Sequence, residues 1–202
     1  LKLGAFEFIQ KPFSSERLIN FTNRGVENIN LKKEKRVLES KLFHSYDIIG
    51  QSESIEKIRN LIAKLSNTES RIFISGPAGS GKELVARQIH KQSLRSKKPF
   101  VVVNGALLDP QKYEQELFGS ENENETINYG FFEQAEDGTL LIDEISEIPL
   151  ETQAKILRVL IDQKFKRVNG SKEINVHVRI ISTTSKNIRE EIDKGNFRED
   201  LY

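Results

Sequence analysis

Cysteine, methionine and tryptophan are absent from this 202-residue chain. Without cysteine there is no disulfide framework and no thiolate metal site. The three histidines, His44, His90 and His177, are scattered, with no metal-ligand spacing among them. A net charge of +1, with 30% charged residues, leaves no strong basic field for this segment to bind nucleic acid by itself. No apolar run approaches membrane-spanning length and no signal peptide is legible. A soluble cytoplasmic protein with no membrane partner is therefore expected. The missing methionine and the start at Leu1 predict a fragment of something longer. The length suits one sizeable α/β domain plus an appendage.

The residues that are present are more specific. Residues 71–83 read Arg-Ile-Phe-Ile-Ser-Gly-Pro-Ala-Gly-Ser-Gly-Lys-Glu. An apolar strand runs into a glycine-rich turn, and a lysine opens a helix. Gly76 to Lys82 fit G-x-x-x-x-G-K, the phosphate-cradling P-loop. Backbone N–H groups and a helix N-terminus suit concentrated negative charge. Gly76, Gly79 and Gly81 permit backbone angles that a Cβ disfavours and let the chain approach phosphate. Lys82 supplies a point charge for the terminal phosphates of a nucleoside triphosphate. The candidate nucleotide-binding residues are Gly76, Pro77, Ala78, Gly79, Ser80, Gly81, Lys82 and Glu83. Glu83 departs from the general pattern, which places a magnesium-binding hydroxyl there.

About sixty residues further on comes Gly138-Thr139-Leu140-Leu141-Ile142-Asp143-Glu144. It reads as a buried parallel strand with two acids at its carboxyl end, where ligands bind in open α/β sheets. Asp143 is the candidate magnesium ligand. Glu144 is the candidate to polarise an attacking water.

The rest of the chain supplies the frame. Residues 5–9 alternate weakly like a strand, Pro12 ends it, and a charged helical pattern runs from Glu16 to about Leu42. Part of that pattern suits a short coiled coil or, equally, a solvated linker helix. Beyond Tyr46 the expected order is a helix over 53–65 and then the P-loop strand and helix. A strand over 99–104 and a helix over 110–118 follow. Residues 120–128 are expected to form a polar, mobile surface loop. A short helix near 130–136, the acidic strand and a helix over 151–162 come next. That last helix is expected to bury Ala154, Leu157, Leu160 and Ile161. A hairpin around Asn169-Gly170, a strand over 176–183 and a helix over 187–194 capped by Gly195 complete it. Strands alternating with helices predict an α/β fold, a parallel sheet sandwiched by helices.

Four stretches together, Gly76 to Glu83, Glu116-Leu-Phe-Gly119, Gly138 to Glu144 and Phe197-Arg-Glu-Asp-Leu201, resemble the AAA+ domain of sigma-54-dependent, NtrC-type transcriptional regulators. Glu after the P-loop lysine is usual in that family. The resemblance spans 46–202, with the lid and the DNA-binding domain outside the chain. Residues 1–26, with Lys11-Pro12, resemble the C-terminal end of a response-regulator receiver domain, and 27–45 a linker helix. The layout is most similar to NtrX-like two-component response regulators. The resemblance implies that Lys82 contacts the β- and γ-phosphates of ATP and that Asp143 and Glu144 are Walker B acids, with Mg2+ at Asp143. It places Asn104 where a polar residue restrains the catalytic glutamate, Thr184 and Ser185 at the sensor I position, and Arg198 as an arginine finger. It further implies ATP hydrolysis to ADP and phosphate, and self-assembly into a ring, a hexamer in the full-length protein. Implied partners are RNA polymerase holoenzyme, DNA through a further domain, and a sensor histidine kinase. One motif departs: Ser120 to Tyr129 stands where the family has the Gly-Ala-Phe-Thr-Gly-Ala tip that grips sigma-54. A regulator that does not remodel sigma-54 polymerase is therefore expected. The alternatives are an oligomerisation scaffold that binds nucleotide without hydrolysis, and a small-substrate kinase. A kinase would need a lid arginine cluster and an acceptor pocket; neither is legible here, and the receiver-like N-terminus argues against it.

Overall fold

The computed structural model describes residues 19, 25–26, 47–121 and 127–202. The expectations for the receiver end (1–26) and linker helix (27–45) lie almost wholly outside the described residues. Leu1–Asp47 and Ile48–Tyr202 are separate compact units, and the second is described below.

Helix α1 (Glu53–Ser66) starts where the Ser52 hydroxyl accepts the Ile55 N–H at 3.4 Å, with Glu53 and Glu56 in its first turn. β1 (Ile72–Ser75) leads through the P-loop into α2 (Lys82–Lys91). β2 (Phe100–Asn104), α3 (Tyr113–Phe118), the short strands β3 (Ser120–Glu121) and β4 (Ile127–Asn128), and α4 (Phe131–Gln134) follow. β5 (Thr139–Asp143) is the acidic strand, continued by a 3-10 turn, Ile145–Glu147. α5 (Leu150–Asp162), the hairpin β6 (Lys164–Lys166) and β7 (Glu173–Asn175), β8 (Arg179–Thr184), α6 (Ile188–Asp193) and a 3-10 turn (Glu199–Leu201) complete the chain. Among the described residues no helix is long and apolar enough to cross a membrane.

Four strands form one parallel sheet in the order β1-β8-β5-β2. Alternation along β5 divides the core. Leu140 and Ile142 face Ile156, Val159 and Phe132. Leu141 faces the other way, with Ile62, Ala86, Ile89 and Ile181. Both faces are covered, which is why β5 reads as a continuous apolar run. The register pairs Ser75 with Thr184, Ile142 with Ser182 and Asn104 with Asp143. It therefore brings the carboxyl ends of all four strands to one edge.

Three expectations change. Ile161 is 67% exposed. The face of α5 that meets the core is Thr152, Gln153, Ile156 and Val159, because Gln153 is drawn inward by backbone acceptors rather than by apolarity. The strand expected from Val176 begins at Arg179, since the Val176 N–H first bonds the Gln163 carbonyl at 2.9 Å. The expected loop over 120–128 has an ordered base. Ser120 pairs with Asn128 and Glu121 with Ile127, antiparallel.

That base is fastened to the β6–β7 hairpin. The Glu121 N–H donates to the Val168 carbonyl and the Val168 N–H to the Gly119 carbonyl, both at 3.0 Å. The Arg167 side chain lies beneath, donating from Nε to Glu133 at 2.9 Å and from Nη1 to Glu121 at 2.8 Å. Its guanidinium stands 5.3 Å from the centre of the Tyr129 ring. Phe118 stacks on Phe132 at 5.4 Å, with Phe165 tilted against both.

Candidate functional site

The P-loop is shaped by two glycines with left-handed backbone, Gly79 (φ 76°) and Gly81 (φ 88°). A Cβ on Gly79 would meet nothing within 4 Å, so its demand is conformational rather than steric. The Gly76 N–H donates to the Thr184 carbonyl at 3.2 Å, which ties the loop to the end of β8. α2 begins at Lys82, so the free N–H groups of its first turn and of the loop converge on one spot. The Lys82 side chain is 8% exposed. It donates to the carbonyls of Gly76 at 3.0 Å and Pro77 at 3.3 Å, and stands 3.4 Å from Glu144. The acids and the P-loop therefore share a cleft. Glu83 turns aside to Arg87, one turn along, at 2.6 Å.

Each acid is held from two sides. One Asp143 oxygen accepts the Asn104 side-chain N–H at 2.8 Å, and the other accepts the Thr183 hydroxyl. Each of these oxygens keeps a lone pair. Glu144 sits in left-handed backbone (φ 52°) that carries the chain off the strand and turns its carboxylate toward Lys82. Its N–H donates to Thr183 at 3.2 Å. Its second oxygen accepts the Ser185 N–H at 2.7 Å and the Ser185 hydroxyl at 2.9 Å. Burial pushes the Glu144 carboxyl up, but the two Ser185 donors and Lys82 outweigh it and hold it below the usual carboxylate range.

Two expected roles are placed differently. Asn104 bonds Asp143, not Glu144. The group that restrains Glu144 is Ser185, because β8 lies between β1 and β5 and its end reaches both acids. Thr184 is fully buried, and its hydroxyl meets Ser146 at 2.7 Å and the Lys186 N–H at 3.1 Å, so its side chain is turned away from the cleft. Only its carbonyl serves the P-loop. Thr183, which contacts both acids, is unmarked in the sequence but for its place one residue ahead of the sensor position.

Arg198 stands apart from these groups. Its guanidinium pairs with Asp200 on the same turn, at 2.6 Å and 2.9 Å, and is 39% exposed. Its backbone is fixed by Gln153, which is fully buried. That amide accepts the Arg198 N–H at 3.0 Å and donates to the carbonyls of Ile148 at 2.7 Å and Asn196 at 3.1 Å. A polar residue among apolar helix positions gave no hint of this in the sequence.

A glycine turn, a buried lysine and two clamped acids on the carboxyl edge of a parallel sheet define a P-loop domain of the AAA+ class. The relatives agree. Residues 48–202 match the Sigma-54 interaction domain, so the chain belongs to that family, with an NtrX-like AAA+ core. It is 46% identical over 203 residues to the nitrogen assimilation regulatory protein NtrX of Azorhizobium caulinodans, covering all of this chain and 44% of that one. A crystal structure of NtrX from Brucella abortus superposes with a TM-score of 0.86 at 46% identity, over 99% of this chain and 44% of that one. The same Brucella protein crystallised with ATP gives a TM-score of 0.78, over 99% of this chain and 45% of that one. The chain thus spans less than half the length of these relatives.

Proposed function

We propose that this chain is the ATP-binding AAA+ core of a two-component transcriptional regulator, and that it hydrolyses ATP to ADP and phosphate. The observation that carries the reading is the 3.4 Å approach of Lys82 to Glu144 beside the glycine turn. It puts a phosphate-binding cation and a carboxylate in one cleft. The Brucella relative that binds ATP supports it. In this reading the N–H groups of Gly76 to Gly81 hold the phosphates, and Lys82 exchanges its loop carbonyls for the β- and γ-phosphates. Glu144, ionised at neutral pH, leaves Ser185 to orient the attacking water. Mg2+ suits the donors present. Asp143 offers one carboxylate beside the loop, and magnesium takes one or two carboxylates with substrate phosphates and water. When bound, the ion neutralises charge on the phosphates.

Arg198 then serves a neighbouring subunit's nucleotide, which requires a ring, a hexamer in the longer protein. RNA polymerase holoenzyme, DNA through a domain outside this chain, and a sensor histidine kinase are its partners, in the cytoplasm. Because Ser120 to Tyr129 contains no Gly-Ala-Phe-Thr-Gly-Ala tip, the regulator does not open sigma-54 promoters. In vitro transcription with the longer protein tests that; ATP-dependent open complexes at a sigma-54 promoter refute it. For hydrolysis the measurement is steady-state turnover of the longer protein beside Glu144→Gln. A loss of about 10²–10⁴-fold is expected. Equal rates favour the second reading, a nucleotide-binding scaffold. The Ser185 clamp on Glu144 and the turning of Glu83 to Arg87 lend that reading its support.

A further inference from the structure

The end of the sheet opposite the P-loop holds an arginine that the reading above does not use. Arg179 opens β8 and is 2% exposed. Its Nη2 donates to the Leu65 carbonyl at 2.8 Å. Its Nε and Nη1 are buried and have no partner among the described residues. A guanidinium cannot shed its proton, so two unmet donors on a buried cation are costly. Burial works against the charge, Glu69 offsets it and Arg95 adds to the penalty.

Arg179 lines a cleft of about 180 Å³, together with Glu69, Arg71, Arg95 and His177. These residues gather there because they stand at the starts of parallel strands. Arg71 precedes β1, and Arg95 Nη1 donates to the carbonyls of Gly138, just before β5, at 2.8 Å and of His177 at 2.9 Å, while its Nη2 also meets the His177 ring at 3.1 Å. Among the described residues, three guanidinium groups and one carboxylate line the cleft. Arg71 donates to the Leu160 carbonyl and keeps free N–H groups, since a guanidinium carries five. Glu69 is exposed, on the link between α1 and β1, and reaches Arg95 Nη2 at 2.7 Å. Its carboxylate marks what the cleft accepts. The other nearby acids are committed: Glu136 accepts the His177 N–H at 3.1 Å, and Asp137 pairs with Lys98 at 2.9 Å. The cleft has room for a small oxyanion.

We propose that this cleft binds a small phosphate-class oxyanion, inorganic phosphate or the phosphate of a small monoester, on Arg71, on the Arg95 Nη2 that Glu69 releases as it swings aside, and on the unmet Arg179 donors, whose side chain turns from its closed position to meet it. Arginine forks match phosphate oxygens two at a time.

The P-loop also attracts phosphate, so the test uses the chain carrying Lys82→Ala. Inorganic phosphate is titrated at constant ionic strength while the Arg179 Nε–H resonance and the melting temperature are followed. A saturable shift of that resonance with a rise in Tm is expected. Arg71→Met is expected to weaken the affinity about tenfold or more, and Arg179→Met to abolish it. Should Arg179→Met fail to fold, the resonance and the exposed Arg71 variant decide. A matching shift with glycerol 3-phosphate extends the site to monoesters, and its absence confines it to inorganic phosphate; both agree with the proposal. Three results overturn it: a resonance that phosphate leaves unmoved, an equal response to acetate, or an Arg71→Met chain that binds unchanged.

Discussion

Replacing Arg167 with methionine tests how the β3–β4 pair is held. Methionine keeps much of the stem and removes the charge. The arginine side chain is 9% exposed and makes two bonds to Glu133, itself 10% exposed, and one to Glu121, 28% exposed. Hydrogen bonding to Glu133, against the opposing effect of burial, holds the guanidinium pKa above its usual value. Removing one partner of a buried pair strands the other, which costs about 3–5 kcal/mol. The more exposed bond to Glu121 adds about 0–1 kcal/mol. Losing the contact with Tyr129 adds about 0.5–1 kcal/mol. The Glu133 term therefore decides the size. For a unit of this length the 3–5 kcal/mol lowers Tm by about 6–20 °C. Thermal melts and urea titrations of the single variant, and of Arg167→Met with Glu133→Leu, make the measurement. The double variant should recover most of the loss, because an apolar pair leaves no buried charge. A single variant that melts within about 2 °C of the parent refutes the reasoning, as does a double variant no better than the single.

Lys82→Ala should weaken ATP binding by roughly 1.5–3 kcal/mol, about 10–150-fold in Kd, through loss of one charge-assisted phosphate contact. Calorimetry returning an unchanged Kd would mean that the loop does not bind as described. His90 gives a pH prediction. Burial lowers its pKa from 6.5 to about 4, with the carbonyl of Lys98 opposing and Arg179, Arg87 and Arg95 assisting. Between those values the unfolded chain binds the extra proton, so stability is full above pH 6.5 and falls as pH drops toward 4, by about 3 kcal/mol. His90→Gln, which can keep a hydrogen bond near Thr139, should flatten that part of the stability curve; parallel wild-type and variant curves would show that His90 does not titrate this way.

The legible parts of this protein are those whose chemistry is local. Gly79 and Gly81 need left-handed backbone, and the sequence marks that need directly. Leu140 to Ile142 must be buried on both faces, and an unbroken apolar run says so. Asn169, with φ 62°, announces its turn. Long-range polar pairings left no such trace. Ser185 lies about forty residues from the glutamate it clamps, and Gln153 about as far from the arginine whose backbone it fixes. Ile161, apolar and in helical register with Leu157, points out, because helical spacing fixes which residues share a face but not which face meets the sheet.

By itself, then, the order of residues determined the phosphate loop, the acidic strand and the alternation that makes a parallel sheet, since each is written in backbone preference or side-chain period. Only the strand order β1-β8-β5-β2 decided that Lys82 and Glu144 meet, that β8 supplies the clamps on both acids, and that Arg71, Arg95 and Arg179 gather at the opposite edge. Parallel pairing stacks like ends of strands distant in sequence, and which neighbours result is set by burying both faces of the sheet at once.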